Sequence, residues 1–387
     1  MEKVIDVKSF LDKIEILDSK NNIFFRGHSN KDYILEPGIY RRDKTTNKSL
    51  IEFEDKIYRE IISKAPQDFI GKNTLESLAL MQHYEAPTRV LDLTENALVA
   101  LYFACIGNDN FDGEIIVFDI PDDSICHYDS DRATILSNLA KCGKDFSYEG
   151  GMNKFHKQRI VFLESKRIRF TPDEVLENFD IEILDFFNEN SEKIVEKYED
   201  NLYGNSFNNI LQFTLNVYKE SKGELSEINF KYFNNFYIEH IQNYHRRLID
   251  KIINVTNENY FGRLLHNIRE DKSYFNAIID PDDVSKVYAV RPKLNNPRII
   301  KQSGAFLIFG VQETRFFKRD YKPMAILSEH WILRGSKSSD RIIVDKKAKN
   351  KIVKQLRGLG FDESTLFPEV DKVSHFVRNN FLEKLKK

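Results

Sequence analysis

Apolar residues recur along this chain in two rhythms, and the switches between them mark its elements. Val4, Val7, Phe10, Leu11, Ile14 and Leu17 return at helical spacing and predict a short amphipathic helix. A polar run, Ser19-Lys20-Asn21-Asn22, then gives way to Ile23-Phe24-Phe25-Arg26, which reads as a buried strand with an arginine at its exit. Leu35 to Arg42 is a Pro/Gly turn ending in two arginines. Helical spacing resumes over Leu50 to Ala65 through Phe53, Ile57, Ile61 and Ile62, until Pro66 stops it. Thr74 is the expected N-cap of a third helix, Leu75 to Tyr84, with Leu78, Leu80 and Met81 turned inward. Beyond Pro87, Arg89-Val90-Leu91 predicts a second buried strand that delivers Asp92 and Thr94 to its far end. A helix from Glu95 to Ile106 follows, with Thr94 as its expected cap, and Gly113 to Asp119 is a third strand closed by Pro121.

From about Gly150 to Asp280 the texture changes to long polar-aromatic helices. Phe230, Phe233, Tyr237, Ile241, Tyr244, Leu248 and Ile252 give one helix a continuous apolar face, which suits packing within a helical insertion or a groove for a protein partner. Strand character returns after Pro281 at Val287 to Val290 and Ile299 to Phe309, with Met324 to Leu333 and Arg341 to Val344 as further candidates. Asp345 is placed to cap a helix ending at Gly358, and Val373 to Leu385 forms a closing helix. Strands thus gather at both ends of the sequence and helices in its middle. The expected fold is α+β, a split mixed β-sheet body with flanking helices plus a helical insertion, divided at residues 1–125, 126–285 and 286–387.

Composition narrows the class. The 387 residues are 41% hydrophobic, enough for a sizeable core, and 58 basic against 60 acidic side chains leave a net charge of −2. That balance does not indicate a nucleic-acid partner through any global field. Three scattered cysteines, Cys105, Cys126 and Cys142, suit neither a disulfide framework nor a paired zinc site. The charged N-terminal residues do not read as a signal peptide, and no run of ~18 apolar residues is present, so a cytoplasmic protein with no membrane partner is expected. His240 and His245 sit off the spacing at which a helix offers two metal ligands, and no metal site is expected.

Phosphate-cradling Gly-rich loops, the Gly-x-Ser-x-Gly elbow and the His-Glu-x-x-His helix are all missing from the sequence, which argues against the common hydrolases and dehydrogenases built on them. What remains is a polar set spaced along strand ends: Arg26, Gly27 and His28, then His83, Thr88, Arg89, Asp92 and Thr94, then Gln302 and Ser303. An arginine at a strand end can aim a planar fork at a phosphate or carboxylate, and a glycine after it lets backbone or ligand approach closely. Converging on one cavity, such a set would take a ligand with phosphates and a ribose. The alternatives are that Arg26 pairs with a structural carboxylate, that Arg89 pairs with Asp92, and that His83 closes a core hydrogen bond.

The chain resembles the FRG domain family, named for the run that stands here as Phe25-Arg26-Gly27. The resemblance extends through Ser29-Asn30, Leu35 to Arg41, Ala79-Leu80-Met81-Gln82-His83-Tyr84, Pro87 to Thr94 and Ala97 to Ala104, and then through Arg298-Ile299, Gln302 to Phe306 and Leu366-Phe367-Pro368-Glu369. Glu85 and Ala86 stand where a glycine and a small or apolar residue are expected. The order of elements, with Arg-Gly closing a first strand, a Thr-containing second strand before a Leu-Tyr-Phe-Ala helix and a late Gln-x-Gly-x-Phe strand, is also similar to that of ADP-ribosyltransferases. That second resemblance implies NAD as substrate and no tightly bound cofactor. It makes Arg26, Asp92 and Gln302 the candidate catalytic residues, and Arg26, Gly27, His28, His83, Thr88, Arg89 and Thr94 the candidate nucleotide-binding residues. Gln302 stands where a glutamate is usual, so either Asp92 or Glu313 supplies the carboxylate near the ribose, or catalysis is absent. Together the resemblances imply a bacterial toxin or phage-defence effector. Two other readings stay open: a nuclease or nucleic-acid binder using Arg41, Arg42, Arg246 and Arg247, and a non-enzymatic sensor whose insertion meets another protein.

Overall fold

The computed structural model describes residues 3–148, 254, 257–258, 260–312, 321–336 and 340–385. Residues 1–147, 263–275 and 283–387 form one compact unit, and 148–262 with 276–282 a second. In the second unit, Tyr148 meets Phe261 edge to face at 5.3 Å, and the Asn257 side chain exchanges two hydrogen bonds with the backbone of Ile279. The Phe230 to Ile252 stripe, His240, His245, Arg246, Arg247 and Glu313 lie outside the described residues.

The first unit is built on one mixed, eight-stranded sheet that curls into a half-barrel. Its strands are β1 (Asn22–His28), β2 (Val90–Thr94), β3 (Gly113–Ile120), β4 (Ile125–His127), β5 (Val287–Arg291), β6 (Gly304–Phe309), β7 (Ile332–Arg334) and β8 (Ile342–Val344). Their order is β4-β5-β6-β2-β1-β3-β7, with β8 also on β3. The early strands therefore interleave with the late ones: β2 pairs with β6 from Val90↔Ile308 to Thr94↔Gly304, and β3 carries β7 and β8. This is the single sheet that the two strand-rich ends of the sequence predict. Only β4 and β5 run parallel.

Alternation along the strands sorts side chains to two faces. Phe25, Ile115 and Val117 join Val7 and Phe10 of helix α1 (Val7–Glu15) and the apolar α5 (Ala97–Cys105) in one core. Phe24, Leu91, Leu93, Ile116, Phe118, Leu307 and Phe309 fill the other. The hinge between the two halves of this sheet is thin. β1 pairs with β3 along its whole length, yet meets β2 only at Phe25↔Thr94.

Local elements differ from expectation where two signals competed. The third helix, α4 (Thr74–His83), is capped by Asn73 rather than Thr74, because Asn73 forms a reciprocal capping box with Glu76. Likewise Asn96, not Thr94, caps α5. The stretch from Ile299 begins as a helical turn, Pro297–Lys301, since Asn296 caps it and Pro297 occupies its first position, and only from Gly304 does it become β6. Met324 makes an isolated bridge to Val311, and the strand expected there is confined to β7. Asp345 accepts from the Lys347 amide, while the helix it was expected to cap starts at Lys349.

Candidate functional site

Where β1 and β2 part, a cavity of about 340 Å³ opens. It is lined by Arg26 and Gly27 of β1, Gln82, His83 and Glu85 at the end of α4, Asp92 and Thr94 of β2, Phe103 of α5, and Arg298, Gln302 and Phe367 from the late chain. A volume of that size is ordinary for a small-molecule site. The sequence-predicted residues divide cleanly. Arg26, Gly27, His83, Asp92, Thr94 and Gln302 line the cavity. His28 stands directly behind Arg26, and Thr88 touches Gln82 from outside the lining.

Arg89 is elsewhere. It is fully buried, its fork grips both oxygens of Glu54, and its third bond goes to the Phe309 carbonyl at 2.8 Å. Lys322 completes the cluster with a 2.6 Å contact to Glu54. Burial opposes ionisation of Glu54, but Arg89 and Lys322 outweigh it and hold the carboxyl below the ordinary range. The structural pairing foreseen for an arginine thus belongs to Arg89, with Glu54 as partner in place of Asp92.

Arg26 has the opposite surroundings. Its Nε donates to Nε2 of His28 at 3.0 Å and one terminal nitrogen donates to the Asp92 carbonyl at 2.6 Å, both neutral acceptors. Among the described residues no carboxylate forms an ion pair with it. Burial, with Arg41 nearby and Asp92 only partly compensating, lowers the guanidinium to about 10. His28 is 3% exposed, and burial reinforced by Arg26 pushes its imidazole down to about 3, so the ring is neutral and free to accept from Arg26. Gly27 serves α5: a Cβ there would lie 2.0 Å from the Ala100 carbonyl oxygen.

Two carboxylates line the cavity, the exposed Glu85 at its edge and the half-buried Asp92 on the sheet. Gln82 donates to Asp92 Oδ2 at 3.0 Å and accepts from Thr88 at 2.7 Å. Burial lowers His83, with Asp92 acting against that and Arg298 in favour. Thr94 donates to the Gln302 carbonyl at 2.6 Å, and Gln302 in turn donates to the Leu366 carbonyl at 3.0 Å. The late chain makes the far wall. Arg298 lies 4.4 Å above the Phe367 ring, donates to the His83 carbonyl and stands 3.8 Å from Glu369, while Phe367 packs edge-on against Phe103. Arg298, Gln82 and Phe367 were not among the residues predicted for the site, although each falls in a stretch that carries the family resemblance. Glu85 holds φ at +64° and closes the turn after α4, which explains why a glycine is expected there. Arg41 and Arg42 are spent on turn carbonyls of Glu36 and Asn47.

Fold and site together define an α+β protein with a polar, arginine-bearing cavity at a seam in its sheet. The chain carries an FRG domain: the family model matches residues 21–113, from the start of β1 through α5 to the first residue of β3. No curated protein and no solved structure matches the chain. Among the described residues no helix is long and apolar enough to cross a membrane, and no cluster of His, Cys, Asp and Glu could hold a metal ion.

Proposed function

We propose that the cavity at the β1–β2 seam binds an NAD-like nucleotide and that the chain cleaves its nicotinamide–ribose bond or transfers the ADP-ribosyl group, as a cytoplasmic bacterial toxin or phage-defence effector. One observation carries this reading: Arg26 is a half-buried guanidinium whose hydrogen bonds go to neutral acceptors, and the nearby Asp92 carboxylate offsets its charge only in part at the cavity that both line. A bidentate phosphate supplies the rest and suits the planar fork. Phe103 and Phe367 offer an apolar wall for a base or nicotinamide ring. Breaking the nicotinamide bond builds positive charge on the ribose, and Asp92 is the carboxylate lined up to stabilise it. Gln302 is neutral and already donates to Leu366, so its role here is to shape the wall. Incubation of the purified protein with NAD, with and without cell lysate, should release nicotinamide, and Asp92→Asn should lower that release by about a hundredfold or more. No release, together with no thermal shift at millimolar NAD, would overturn the proposal.

A further inference from the structure

We infer that Thr88, which does not reach the cavity, aims the Asp92 carboxylate through Gln82, leaving Oδ1 of Asp92 as the oxygen presented to a ligand. A primary amide has one accepting and one donating end, and Gln82 lies between two neighbours. A carboxylate only accepts, so the donating end must face Asp92 Oδ2, as it does at 3.0 Å. The Gln82 carbonyl then faces Thr88, whose hydroxyl donates to it at 2.7 Å. Thr88 is 2% exposed and its oxygen also accepts weakly from the Val90 amide at 3.4 Å, so the hydroxyl proton is committed toward Gln82. The chain therefore runs in one direction, from Val90 N–H through Thr88 and Gln82 to Asp92. Rotating the Gln82 amide by half a turn would set oxygen against oxygen at the carboxylate and leave the Thr88 hydroxyl facing an amide donor.

Asp92 is held at two points. Arg26 donates to its carbonyl, and Gln82 donates to Oδ2. Among the described residues Oδ1 makes no hydrogen bond. Thr88 is a positioning residue, since it acts on the ligand through Gln82 and Asp92, whereas Gln82 both orients Asp92 and lines the cavity itself. This assignment rests on the proposed nucleotide site for its catalytic consequence, but its geometry can be read without any substrate.

Two measurements test it. In side-chain amide NMR, with the Gln82 signal assigned by its loss in Gln82→Leu, one Nε2 proton should exchange slowly in the wild type and in Thr88→Ser, and rapidly in Thr88→Val. In nicotinamide release, Thr88→Val should lower kcat about tenfold with KM nearly unchanged, and Thr88→Ser should restore it to within about twofold. Protection of the Gln82 amide that survives in Thr88→Val overturns the inference whatever the activity. A protection pattern as expected in a protein that releases no nicotinamide upholds the positioning chain and removes the nucleotide reading alone.

Discussion

Replacing Arg89 with alanine should be far more damaging than the same change at Arg26, although the sequence sets both arginines at the end of a buried strand. Arg89→Ala removes two bonds to Glu54 and one to the Phe309 carbonyl, at a position with no solvent access. Glu54, itself 3% exposed, is left with Lys322 as its one remaining cation. Breaking a buried ion pair by removing one partner costs about 3–5 kcal/mol, because the surviving charge stays desolvated. Against a total of about 5–15 kcal/mol that is a large share, and it corresponds to a fall in Tm of roughly 6–20 °C. Arg26→Ala instead deletes bonds to two neutral acceptors and relieves a desolvated cation, so its cost should stay below about 1.5 kcal/mol. Urea unfolding followed by fluorescence of Trp331, the single tryptophan, reads both variants from within the sheet core against which that ring packs. Equal losses in the two variants, or a loss below about 1 kcal/mol for Arg89→Ala, would refute the division of the two arginines into a structural and a binding one.

Further outcomes can be measured directly. Arg26→Lys keeps the charge but not the fork, so the melting temperature should hold while NAD-dependent stabilisation is lost. Gly27→Ala places a Cβ 2.0 Å from the Ala100 carbonyl oxygen and 2.7 Å from the Ala104 nitrogen, backbone atoms that cannot swing away, so Tm should fall by several degrees. His28 binds a proton near pH 6.5 when unfolded and only near pH 3 when folded, so the unfolded state carries the extra proton between those values. Stability should therefore decline as the pH drops through that window, and Tm measured from pH 7 to pH 4 should decline less steeply in His28→Gln. Glu54, held below its ordinary value of 4.5, contributes stability above that pH that is lost as the pH falls through its folded value, so acid unfolding of Arg89→Ala should begin at higher pH than in the wild type.

Much of the sheet was legible because its strands are short apolar runs bounded by turn residues, as at Ile23 to Arg26 and Gly113 to Asp119. Arg26 was legible as a strand-end arginine beside a glycine. The fate of Arg89 was not, since its partner Glu54 begins α2 (Glu54–Lys64), where an acidic residue reads as a favourable end of a solvated helix. Only tertiary packing buries that position. The helical turn at Pro297 carried its own signals in Asn296 and Pro297, and the β-rich residues after it masked them. Arg298 and Phe367 joined the site through contacts formed across the fold, for which spacing along the chain gives no rule. The cavity itself follows from two strands that part after one pair, a register fact invisible in either strand alone.

The thin seam at Phe25↔Thr94 also bears on how the protein comes into being. β1 and β2 are made early, yet β2 finds its extended partner in β6, more than two hundred residues later in the sequence. A chain still being synthesised would hold Arg26 and Asp92 without the strand that fixes one rim of the cavity, and without Arg298, Gln302 and Phe367, which close the other. Until those residues emerge from the ribosome, the cavity has Arg26, Asp92 and Phe103 but lacks Arg298, Gln302 and Phe367. An activity that needs the complete cavity would be withheld until Phe367 has been made.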